Sequence, residues 1–326
     1  MRWSRSFLRP GFRPDAMAFP QIGYFGKLPW HGDFLREAPA SAPIDLIDAW
    51  LAQAPIGPPG PASAAFDAAG PAMALVRARG CWWALCLFPS RDAVNRRFPF
   101  CVFAGLPEES FSGEVGLLPS AWTPFLIRCM QQGARGWPTS QAALHDAVAA
   151  CGQEIDVDGE ERRLVDRLAD HSTESWLRAS LGAANDQRRQ GLWADLVELA
   201  RDPQLATGLI LRPMAHQVHL AFVLMLQRLA GNEGCAPVFI GLHPGSPHDQ
   251  ASSTILWGRP TAAECLAALW PSMPGAALTR IHDPVQRPGT FGDPSAVPAS
   301  LDQPGASLRD LLHDVGSATR RFRRTR

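Results

Sequence analysis

Lys27 is the only lysine among 326 residues, and it lies in the motif densest in reactive side chains, GYFGKLPWHGDF at Gly23–Phe34. Three glycines and four aromatics surround Lys27, His31 and Asp33 there. An ammonium or imidazole beside a carboxylate can work as an acid–base pair, which makes Lys27, His31 and Asp33 candidate site residues. The alternative is a turn shaped by its glycines, with Phe25 and Phe34 packed into the core and Asp33 capping the backbone that follows. A phosphate loop is excluded. Gln21 stands where its first glycine is needed, and Leu28 replaces the Ser or Thr that would hold magnesium.

A second cluster is SRDAVNRRFPF at Ser90–Phe100, with Arg91, Arg96 and Arg97 as candidate binding residues. Guanidinium groups bind carboxylates or phosphorylated side chains bidentately. The alternative is that Asp92 pairs with one arginine and the others are solvated. Arg96 and Arg97 precede an apolar run, and neighbours at a strand entrance face opposite sides. Arg96 is expected inward, held by Asp92 or Asp33, and Arg97 outward and free for a partner.

Other constellations are weaker. His216 and His219 share a helical face, with His243, His248 and Asp249 downstream, but no metal-binding signature accompanies them, so no metal site is expected. There is no G-x-S-x-G nucleophile elbow. The seven cysteines lack C-x-x-C spacing and read as buried free thiols of a reducing compartment. The terminal RRFRRTR suits nucleic acid, anionic lipid or an acidic partner, or is simply solvated.

These clusters need elements to hold them. Strand patterns cover Ile22–Phe25, Ala72–Ala78, Cys81–Phe88 and Phe98–Ala104, with Arg79-Gly80 as a tight hairpin turn. Cys81–Phe88 is apolar on both faces, as in a central strand of a covered sheet. Helical periodicity covers Asp45–Ala52, with Leu46, Ala49 and Trp50 on one face, and Ser120–Met130, with Trp122, Phe125, Leu126 and Cys129 on one face. Further helices are expected at Gln141–Ala150, Glu160–Ala169, Asp186–Ala200, Ala215–Leu229 and Thr261–Leu269, and strands at Val238–Leu242 and Thr254–Gly258. The expected fold class is α/β, with helices on both faces of a mixed, largely antiparallel sheet and extra helices in the second half.

Residues 1–16 read as a disordered arm, with Met17 as the start of the cleaner sequence. Residues 17–136 form one α/β region, and 137–283 a second packed on the first. Residues 284–326 read as a disordered, Pro/Gly-rich tail with a basic end, broken by a short amphipathic patch at Leu308–Val315. The formal net charge is zero, so no general attraction to nucleic acid is expected. No apolar stretch reaches the roughly 20 residues of a membrane span, and no signal peptide is evident, so a soluble, cytoplasmic protein is expected.

The two clusters together resemble the TagF family, also called ImpM, of type VI secretion-associated proteins. Gly23, Tyr24, Phe25, Gly26, Lys27, Leu28, Pro29, Gly32, Asp33 and Phe34 match its opening motif, and Ser90, Asp92, Arg96, Phe98 and Pro99 its second. Asn95 replaces the usual glycine and Phe100 a leucine, and Asn also tolerates a left-handed backbone. The resemblance covers Phe19–Leu106 and extends less firmly to Gly136. It implies a three-layer α/β/α fold and a cytoplasmic protein that restrains type VI secretion after translation. It implies no enzymatic activity, no cofactor, and action through the forkhead-associated-domain protein of the apparatus. The rival expectations are a hydrolase using Lys27, His31 and Asp33, and a scaffold subunit of the apparatus.

Overall fold

Arg79 and Gly80 both have positive φ, 54° and 70°, the geometry of a two-residue hairpin turn whose twist matches its strands. A computed structural model of the chain describes residues 20–53, 56, 60–108, 118–152, 157–181, 208–211, 238–243, 252–257, 260–271, 281–282, 303 and 305–314. It places β3 (Ala72–Ala78) and β4 (Cys81–Phe88) on either side of this turn, paired from Ala78↔Cys81 to Ala72↔Leu87. β4 pairs along its whole length with β5 (Phe100–Pro107), β5 with β1 (Gln21–Gly26), and β1 with the short edge strand β2 (Leu35–Glu37). Beyond β3 the sheet continues through β7 (Phe239–His243), β8 (Ser252–Leu256), β6 (Gly208–Leu211) and β9 (Ile281–His282). Among the described residues every pairing is antiparallel except β6 with β9.

Side chains alternate across a strand, so a fully apolar strand must be covered on both faces. On β4, Trp82, Ala84, Cys86 and Phe88 enter one core, and Cys81, Trp83, Leu85 and Leu87 enter the other. The first core is closed by α3 (Leu118–Arg135), α4 (Gln141–Cys151), α5 (Val157–Asp170) and α6 (Thr173–Leu181), through Trp122, Phe125, Leu144, Val148, Leu168 and Trp176. The second is closed by α1 (Ile44–Ala52), α2 (Pro61–Ala68) and α7 (Ala262–Leu269), through Ile47, Leu51, Phe66, Cys265 and Leu266. The result is the three-layer α/β/α arrangement. Thr261 opens α7 with a capping box: its hydroxyl accepts from the Glu264 amide, and the Glu264 carboxylate accepts from the Thr261 amide.

Three expectations need correction. The buried face of α1 is Ile44, Ile47 and Leu51, while Leu46 is exposed; in IDLIDAWLA two apolar stripes compete, and the sheet takes the one made of two isoleucines and a leucine. The two α/β regions expected on either side of residue 136 share one sheet. β3 pairs directly with β7, from Val76↔Phe239 to Met73↔Leu242, and α4 packs in the first core.

The tail expected to be disordered from residue 284 packs where it is described. Residues 308–314 are helical, and Leu308, Leu311 and Leu312 are buried in the first core. Ser307 and Asp310 cap this helix reciprocally. Backbone bonds from Thr173 to Ala306 and from Leu308 to His171 tie the segment to the start of α6. Proline content concealed the leucines, which satisfy the burial that the prolines cannot. The expected arm at 1–16, the helices at 186–200 and 215–229, and RRFRRTR lie outside the described residues.

Because Leu311 is fully buried, Leu311→Ala should cost about 2–5 kcal/mol. Thermal unfolding followed by circular dichroism checks this, and an unchanged midpoint would show that the segment does not support the core.

Candidate functional site

Gly26 ends β1 with φ of 132°, and a Cβ there would collide with the Pro99 carbonyl oxygen. Only glycine permits both the conformation and the approach. The opening motif and the arginine cluster therefore meet backbone to backbone, and Lys27 is delivered into the loop between Phe88 and Phe100. Its ammonium lies 2.9 Å from Asp92 Oδ2, with both residues buried (5% and 3% exposed). It also lies 4.8 Å from the centroid of the Phe34 ring, a cation–π contact.

Asp92 is the hub. Oδ2 accepts from Lys27 and from Arg96 Nε at 2.7 Å. Oδ1 accepts from the amides of Val94 and Arg96 at 3.1 and 2.8 Å. A carboxylate has about four lone-pair sites, and these four donors fill them. Burial by itself pushes Asp92 up, but the Lys27 ammonium and the amide and guanidinium of Arg96 outweigh it and hold Asp92 well below the usual carboxylate range. Asn95 adopts φ of 69°, the left-handed backbone that closes this loop. Two further bonds join the motifs: the Ala93 amide donates to the His31 carbonyl at 3.0 Å, and Arg96 Nη2 donates to the Gly32 carbonyl at 2.6 Å.

Lys27, His31 and Asp33 do not converge. Lys27 turns to Asp92; the Asp33 carboxylate is exposed and accepts from the Phe34 amide at 2.8 Å; His31 Nδ1 lies 2.9 Å from the Asp33 backbone carbonyl oxygen. Phe34 is 40% exposed rather than buried, because it stacks on Phe25 and meets Phe98 edge-on at the rim of the core.

The arginines also depart from expectation. Arg96 is held by Asp92 as expected, yet its side chain is 56% exposed, and the less exposed Arg97, at 17%, is not free. Arg97 grips Asp67 through Nε and Nη2 at 2.9 and 2.7 Å, and Arg91 Nη2 reaches the same carboxylate at 2.9 Å. The cause is the strand boundary. β5 begins at Phe100, so both arginines lie in a loop closed by an Arg91–Arg97 bridge, where strand alternation does not apply.

Residues 23–150 match the model of a family described as the TagF N-terminal domain, Type VI secretion system-associated. The chain carries a TagF N-terminal domain. No curated protein matches the chain. Among solved structures, the crystal structure of PA0076 from Pseudomonas aeruginosa PAO1 is similar, with 17% identity and a TM-score of 0.37 over 77% of this chain and 94% of that one.

The TagF domain spans β1 to α4, so the match includes both motifs and two of the helices that close the first core, α3 and α4. A cleft of about 630 Å³ opens beside the Lys27–Asp92 node, walled by Leu28, Trp30, Phe88, Ser90, Phe100 and Trp137. Asp67 is the one carboxylate in its lining. The bond from Arg97, aided by the charge of Arg91, holds Asp67 below its usual range. Burial lifts the thiols of Cys86, Cys101 and Cys265, the last to about 12, so these cysteines are not thiolate nucleophiles. Among the described residues no group of three His, Cys, Asp or Glu could hold a metal ion, and no helix is long and apolar enough to cross a membrane. His216, His219, His248 and Asp249 lie outside the described residues.

Asp67 is the site residue that motif reading misses. It lies on α2, thirty positions from Arg97, in a segment to which sequence analysis assigns no element. The available signal was Pro61, a favoured first residue of a helix.

Two predictions follow from the node. Lys27→Ala removes one of four donors from a buried carboxylate, and breaking such pairs costs about 3–5 kcal/mol. The lower end is expected because Arg96 and two amides remain, and urea denaturation checks it. The folded pKa of Asp92 is depressed, so its contribution is complete above the unfolded value of about 4 and is lost as pH falls from there towards the folded value. Stability should therefore decline between pH 4 and lower pH less steeply in Asp92→Asn than in the wild type; parallel urea midpoints across that window would refute this.

Proposed function

We propose that the chain is a non-enzymatic, cytoplasmic, post-translational repressor of a type VI secretion system, and that it acts by binding the forkhead-associated-domain protein of the apparatus. The observation that carries this reading is the internal pairing of Lys27, Asp92 and Asp67. Asp92 accepts four hydrogen bonds, Lys27 is buried against it, and Asp67 is clamped by two arginines. General acid–base catalysis needs a group free to take or give a proton to a substrate. The motif residues instead lock two loops into one rigid surface, which is what recognition requires.

The test is to immobilise the full chain and offer it the forkhead-associated-domain protein of the same secretion system. Retention, together with reduced secretion when the chain is overproduced, is the expected result. Failure of the two proteins to associate, with secretion unchanged, would overturn the proposal.

A further inference from the structure

Four large apolar side chains are exposed among the described residues: Phe34, Leu46, Val94 and Ile127. Two of them, Phe34 and Val94, flank the bonds that join the motifs. Phe34 follows Gly32 by two positions, and Gly32 accepts from Arg96; Val94 follows Ala93, which donates to His31. Val94 is the most exposed of the four at 65%. Its apolar side chain is carried at the tip of a loop that Asp92 holds through the amides of Val94 and Arg96, and that Phe98 closes by donating to the Ser90 carbonyl.

We infer that Phe34, Val94 and Arg96 form the docking knob of this protein, and that the partner presents a small apolar pocket rimmed by carboxylates. The inference rests on the binding function proposed above. The first argument is rigidity. An exposed valine on a mobile loop loses its freedom on binding, whereas here the backbone is already fixed by bonds to a buried carboxylate, so little further ordering is needed. The second argument is charge. At the surface of the joined loops the side chains of Arg91 and Arg96 are 41% and 56% exposed, whereas those of the carboxylates they bind, Asp67 and Asp92, are 27% and 0% exposed, so the guanidinium groups face solvent more than their carboxylates do. Arg96 is more than half exposed and uses Nε and Nη2 for Asp92 and Gly32, so two of its five N–H donors are committed. The remainder suit a carboxylate of the partner. Apolar anchors beside an exposed arginine have the composition of an interface centre.

The test measures the affinity of the full chain for the forkhead-associated-domain protein by titration calorimetry, at low and moderate salt, for the wild type, Val94→Asp, Arg96→Gln and Ile127→Asp. Each variant is first checked for thermal unfolding. Val94→Asp should weaken binding about thirtyfold or more, the loss of an interface anchor. Arg96→Gln should weaken it and flatten its salt dependence, and Ile127→Asp, on the outer face of α3, should bind as the wild type does. If Val94→Asp does not fold, Val94→Ala decides instead, with a smaller loss expected. Wild-type affinity in a folded Val94 variant, or binding indifferent to salt, would overturn the knob while leaving the repressor reading intact. A wild-type chain that does not bind this protein at all would overturn both.

Discussion

A buried carboxylate in an α/β protein must find as many donors as it has lone pairs, and Asp92 finds them in three places at once: Lys27 from the end of β1, the guanidinium of Arg96, and two amides of its own loop. Each donor alone would be a modest contact. Together they determine where the loop before β5 goes, because any other path leaves a charge unpaired in the interior. The position of Lys27 then fixes that of Phe34, whose ring lies by the ammonium, and Phe34 in turn packs with Phe25 and Phe98. The aromatic and ionic parts of the two motifs are one device.

This dependence explains why glycine and asparagine occur where they do. Gly26 lets β1 approach Pro99 closely enough for Lys27 to reach Asp92. Asn95 supplies the left-handed residue that bends the loop back so that the Arg96 amide and guanidinium both point at the same carboxylate. A second clamp, Asp67 between Arg91 and Arg97, ties the base of the loop to α2 on the other side of the cleft. One loop is thereby anchored to both the opening motif and a helix of the opposite layer.

Much of the fold was legible because it depends on local pattern. The hairpin at Arg79-Gly80, the double-faced apolar run of β4 and the stripe of α3 are all set by spacing alone. Partnerships were less legible. That Asp92 is the acceptor for Arg96 could be argued from four-residue separation, but that it also holds Lys27, sixty-five positions away, has no sequence signature. The same holds for Asp67, on a helix that sequence analysis leaves unassigned. The continuity of the sheet across the chain was equally invisible, since strand order follows from which apolar faces need cover rather than from any one segment.

The helical turn at residues 308–314 has a consequence for how the chain is made. Thr173 bonds to Ser307 across a separation of 134 positions, and Leu308, Leu311 and Leu312 fill the same interior as Phe100 and Trp122. During synthesis, that interior stays open until residue 312 has left the ribosome. Contacts of such long range slow folding, and a partly completed chain displays apolar surface on one side of its sheet. The layer built on α1, α2 and α7 has all its described members by residue 270. Among the described residues, the side beneath α1 is therefore complete first and the one beneath α3 last.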